Sequence, residues 1–129
     1  MTVELPISSI FAAILAICLI PLSMRVGIRR YRTKIWLLDG GDEELIRRIR
    51  VQANFIEYVP LALLLLALVE IQGAASGLVW GLGGVLLASR VVHAVGLSTS
   101  EQSIGRGLGA NGTFAVLAVS GVWLLHNSL

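Results

Sequence analysis

Four long apolar blocks, at residues 7–24, 53–71, 78–95 and 107–125, constrain this chain more than any other feature. At about 1.5 Å of rise per residue, each is long enough to cross ~30 Å of hydrocarbon as a helix. Composition agrees: 56% of the 129 residues are hydrophobic and only 14% charged, far from an ordinary soluble domain. Short linkers separate three of the blocks. The expected fold class is therefore all-α, a four-helix transmembrane bundle forming one membrane domain over residues 1–129. Its spans fall at about 6–32, 44–72, 76–97 and 104–126.

The first block reads as a retained span and not as a leader, because Glu4 precedes it and the basic residues follow it. Eight of the ten Lys and Arg lie between the first two spans: Arg25, Arg29, Arg30, Arg32, Lys34, Arg47, Arg48 and Arg50. The positive-inside rule puts that linker in the cytoplasm and both termini on the opposite side. The same cluster explains the net charge of +2 through topology and anionic headgroups, so no nucleic-acid partner is implied. The single cysteine, Cys18, lies mid-span and is expected to pack as an inert thiol.

Arg25, Arg29, Arg30 and Arg32 extend the first span. They read either as anchors snorkelling to headgroups or as a set from which one or two reach an anionic ligand. Asp39, Gly40, Gly41 and Asp42 signal a turn, and Glu43 and Glu44 suit the first turn of the next helix. Glu70 and Gln72 mark the far interface. Gly73, Gly77 and Gly81, spaced by four, form a stripe where a helix can approach closely, and Gly105 and Gly109 form a second small pair.

The polar groups that enter the spans are few. Arg50, Asn54 and Glu57 follow i, i+4, i+7 spacing and share a helix face. Pro60 frees the carbonyl of Ile56 nearby. Arg90 and His93, spaced i, i+3, occupy a matching depth of the third span. Arg90 either snorkels or pairs with Glu57, which would satisfy two costly groups at once. Taken alone, His93 reads as a hydrogen-bonding core histidine. Arg106 opens the fourth span among glycines, at a helix N-terminus where the dipole already favours an anion. One histidine near that end and no neighbouring cysteine cannot assemble a metal centre. A small drug exporter is excluded, because the first span carries no acid. What remains is a basic pocket with lipid access, suited to a hydrophilic anion meeting a lipophilic molecule.

These residues resemble the MAPEG family (membrane-associated proteins in eicosanoid and glutathione metabolism), in particular its small bacterial branch. The resemblance covers nearly the whole chain. It rests on Arg50-x-Gln52-x-Asn54-x-x-Glu57-Tyr58-x-Pro60, on Arg90-x-x-His93, and on Arg106 at the start of the fourth span. It implies a homotrimer in the bacterial inner membrane, with cytoplasm-facing glutathione sites between neighbouring subunits. It also implies glutathione-dependent transferase or peroxidase chemistry on lipophilic electrophiles or hydroperoxides. By that resemblance Arg106 is catalytic and stabilises the thiolate of glutathione. Arg50, Asn54, Glu57, Tyr58, Arg90 and His93, with Arg29 and Arg30, hold the co-substrate. Family enzymes of the prostaglandin-synthase type carry a tyrosine one turn after the histidine, where this chain has Leu97. The residue after the arginine, often serine in the family, is Gly107 here. Eicosanoid synthesis is accordingly not expected, and a non-catalytic protein binding a lipid or anionic metabolite in the same pocket is the alternative.

Overall fold

The computed structural model describes residues 4–100 and 103–129. Residues 1–3, which bear on the reading against a leader, and residues 101–102 of the last linker lie outside the described part. Four helices follow in order: α1 (Pro6–Thr33), α2 (Glu43–Ile71), α3 (Ser76–Thr99) and α4 (Ile104–Ser128). All four are long and apolar enough to cross a membrane, as the apolar blocks predict. The outward faces stay apolar: Ile17 is 66% exposed and Val122 67%. A helix hydrophobic on all sides belongs in hydrocarbon, where such faces cost nothing.

Local chemistry explains where the helices begin. Pro6 sits in the first turn of α1, where its missing N–H is harmless. The next two donors, the N–H groups of Ile7 and Ser8, reach Oε1 and Oε2 of Glu70 at 2.9 and 2.8 Å. Glu70 is thus more than the interfacial marker expected of it, because its carboxylate caps a neighbouring helix. Asp42 caps α2 by accepting from the Leu45 N–H at 2.6 Å, and Ser103 caps α4 by accepting from the Arg106 N–H at 3.2 Å.

The α1–α2 connection is tied by arginines. Arg29 donates through Nε and Nη2 to the two carboxylate oxygens of Asp42, at 3.1 and 2.7 Å, and pairs with Glu44 at 2.8 Å. Arg30 Nη1 donates to the carbonyls of Ile35 and Leu38, at 3.2 and 2.7 Å. That clamp holds Leu38 at a φ of 55°, a left-handed conformation disfavoured for a branched side chain.

The core lies along α2 and α3, with Leu15 of α1, Leu66 and Val69 of α2, Val79 and Leu86 of α3 and Val116 of α4 packed together. Among the described residues, no Cα of α1 comes within 8 Å of one in α4, so their backbones do not pack directly. In lipid, helices associate through close packing more than through expulsion of water, so small residues decide where they meet. At the α3–α4 seam, a Cβ on Gly109 would stand 2.5 Å from the Ser89 carbonyl, and one on Gly96 2.5 Å from the Arg106 nitrogen. The pairing of Gly105 with Gly109 is used here as expected. The stripe of Gly73, Gly77 and Gly81 meets no helix of this chain; Gly83, outside that stripe, takes the Phe11 ring instead.

Candidate functional site

At the basic end of the bundle α2, α3 and α4 enclose a recess of about 220 Å³. Arg47, Arg50 and Asn54 line it from α2, His93 and Leu97 from α3, and Arg106 with Ala110 from α4. The buried face of α2 runs through Val51, Phe55, Val59 and Ala62. Arg47, Arg50 and Asn54 flank that stripe on the side toward α4. Among the described residues, three guanidinium groups and no carboxylate line the recess, a field that selects anions.

Bonded to the lining residue Asn54 is Arg90, only 3% exposed. Its Nη1 donates to Asn54 Oδ1 at 2.7 Å and its Nη2 to the Gly109 carbonyl at 3.1 Å. The ion pair with Glu57 does not form. Glu57 follows buried Phe55 by two residues, about 200° around the helix, and so points outward, where it is exposed. Asn54 takes its place and is itself oriented by the guanidinium.

His93 is 4% exposed. Its Nδ1 lies 3.1 Å from the Arg106 carbonyl oxygen. A carbonyl only accepts, so the proton sits on Nδ1 and, in the neutral ring, Nε2 carries the lone pair. That Nε2 is buried and has no hydrogen-bond partner among the described residues. An orphaned acceptor bordering a ring of arginines fits a ligand that brings both negative charge and a donor.

The structure therefore brings Arg50, Asn54, His93 and Arg106 to one recess; Arg90 does not line it but is joined to it through Asn54. It does not bring the other four there. Tyr58 stacks edge-on against Phe114 with ring centroids 5.5 Å apart. Glu57 is exposed, and Arg29 and Arg30 hold the α1–α2 connection. Arg47, which the sequence placed only in the basic cluster between the first two spans, is a further member. Its position three residues before Arg50 and seven before Asn54 was the available signal. Leu97 gives the recess an apolar wall, and among the described residues no hydroxyl side chain lines it.

The family match spans residues 8–126 and is to the MAPEG family. The chain is 36% identical over 90 residues to inner membrane protein YecN of Escherichia coli (strain K12), covering 70% of this chain and 69% of that protein. The protein of the same name from Escherichia coli O6:H1 gives the same identity and coverage. No solved structure matches significantly. With four apolar helices, the Arg50-to-Pro60 motif on α2 and a match over nearly its full length, the chain belongs to the MAPEG family.

Proposed function

We propose that this protein is an inner-membrane, glutathione-dependent transferase or peroxidase that holds the thiol tripeptide in the recess among α2, α3 and α4. The observation that carries the reading is the pairing of three arginines with the orphaned His93 Nε2 around one cavity. Glutathione supplies matching groups: carboxylates for Arg47 and Arg50, and a thiol whose proton His93 Nε2 can accept. Arg106 then stabilises the thiolate. A free thiol titrates near ~8.5, so an adjacent guanidinium raises the reactive fraction at neutral pH. In the transferase reaction the sulfur lone pair forms a bond to an electrophilic carbon, whose leaving group departs with its electron pair. With a hydroperoxide, two glutathiones are oxidised to the disulfide, and the hydroperoxide is reduced to an alcohol and water.

Within one chain the recess is smaller than the ~300 Å³ at the low end of ligand pockets. Among the described residues it also offers no acid to the ammonium group of glutathione. A second copy that closes the open side and contributes its exposed Glu57 would remedy both, which is the homotrimer with sites at subunit boundaries. The basic end, carrying the recess, would face the cytoplasm under the positive-inside rule.

The test is an ultraviolet difference spectrum of the purified protein titrated with glutathione at neutral pH. A saturable thiolate band, lost in Arg106→Ala with the melting temperature unchanged, is expected. A band that persists in that variant removes Arg106 from the role. Saturable binding with no thiolate band in the native protein favours the non-catalytic reading.

A further inference from the structure

The lipid-facing side of α1 does not stop where its apolar block ends. Ile10, Ile14, Ile17, Met24, Ile28 and Tyr31 are all exposed, and at about 100° per residue they fall on one stripe of the helix. Pro6 to Ile28 spans about 33 Å of helix, or about 31 Å along the membrane normal at the usual tilt of ~20°. That length fills the ~30 Å of hydrocarbon. Tyr31, one turn further on, therefore lies about 4 Å past its edge, inside a headgroup layer of roughly 5–7 Å.

Beyond Tyr31 the α1–α2 connection carries an apolar tip outside any span. Trp36 is 64% exposed, Leu37 81% and Leu38 79%. Trp36 meets Tyr31 edge-on with ring centroids 6.4 Å apart, so the tip is continuous with the stripe on α1. Its shape is fixed from within. Arg30 draws the Ile35 and Leu38 carbonyls back against the last turn of α1, and Asp39 Oδ1 accepts from the Gly41 N–H at 2.9 Å. The connection thus keeps both leucines outward, although Leu38 takes a left-handed backbone to do so. Arg32 and Lys34 flank the tip, the Lys34 ammonium 4.4 Å from the centre of the Tyr31 ring. Neither forms an ion pair among the described residues. Aromatic rings, leucines and unpaired bases at one depth match the layering of a bilayer surface, with phosphates outside and acyl chains inside.

We propose that the tip of the α1–α2 connection is a phospholipid-docking wedge. Trp36, Leu37 and Leu38 enter the boundary between headgroups and acyl chains, and Arg32 and Lys34 lie at the level of the lipid phosphates. Continuity with the lipid-facing stripe, at headgroup depth, selects lipid over a partner protein as the occupant. The site is independent of glutathione.

The experiment is depth-dependent quenching of Trp36 fluorescence in the full-length protein, with Trp80→Phe and Trp123→Phe removing the other two tryptophans. The protein is reconstituted in phosphatidylglycerol nanodiscs containing lipids brominated at successive acyl positions. Trp36 is expected about 15–20 Å from the bilayer centre, between the hydrocarbon edge and the outer limit of the headgroups. Acrylamide in the aqueous phase should quench it less than it quenches free tryptophan amide. Leu37→Asp combined with Leu38→Asp should move Trp36 outward and raise acrylamide quenching, with helix content by circular dichroism unchanged. Aspartate accepts a left-handed backbone better than leucine does, so the connection keeps its shape in that variant. A Trp36 depth beyond ~22 Å, outside the bilayer, overturns the proposal. An unchanged depth in the double variant overturns it as well. So does resistance to acrylamide and to brominated lipid together, since a protein surface would then cover the tip.

Discussion

Arg90 carries its charge into the bundle and finds only the Asn54 amide oxygen and the Gly109 carbonyl. That arrangement separates two substitutions that would otherwise look alike. Asn54→Ala leaves a buried guanidinium nitrogen without its acceptor and should destabilise the protein by about 1–3 kcal/mol. Arg90→Met removes the charge along with its demand for partners and should cost less, or even stabilise. Denaturant unfolding of both variants in the same detergent checks the order, and a greater loss in Arg90→Met would show that the charge itself is stabilising. Arg90 and Asn54 were legible in the sequence as polar groups at one depth of two neighbouring spans. Their pairing was not, because two acceptors on α2, Asn54 and Glu57, lie within one turn of each other. Only the rotation of α2 about its own axis decides which of them α3 meets.

At the scale of the element, the connection between α1 and α2 is held by charge more than by apolar packing. The Arg29 guanidinium, bound to both carboxylate oxygens, and then the Leu45 N–H hold the Asp42 carboxyl below its usual range. A carboxylate whose folded pKa is lowered stabilises the fold fully above its unfolded value of ~3.9. That contribution is lost as the pH falls through the lower folded value. Melting temperature followed downward from pH 6 should therefore decline below about pH 4. Asp42→Asn should keep the helix cap, since asparagine caps well, while flattening that decline. An unchanged acid limb in the variant would remove Asp42 from this role. The turn and the acidic first turn of α2 could be read from Asp39 to Glu44. The use of Arg29 and Arg30 as ties could not, because a basic run after a span serves headgroups, ligands or loops equally well until the chain folds back. Glu70 teaches the same point: its capping partners, Ile7 and Ser8, are more than sixty residues away.

For the whole molecule, the proposed site at a subunit boundary has a specific consequence. Arg106→Ala and Glu57→Gln should each abolish glutathione binding when every chain carries the same substitution. Mixed assemblies of the two variants should recover it at a fraction of their sites, where an intact Arg106 meets an intact Glu57 of another copy. Equilibrium binding on co-purified, differently tagged chains measures this, and no recovery would place both residues in one site of one chain or remove Glu57 from it. Sequence alone determined that the chain is a bundle of four apolar helices, because hydrocarbon leaves a long apolar segment no better way to satisfy its backbone. It also determined the MAPEG kinship and the basic end, since motif and charge are properties of order along the chain. The tertiary structure decided which side chains meet. Helix rotation and the close approach of α3 to α4 at Gly96 and Gly109 put Arg47, Arg50, Asn54, His93 and Arg106 around one recess and turned Glu57 outward. A shift of 100° per residue around a helix axis changes every such contact while leaving the hydrophobic pattern almost the same.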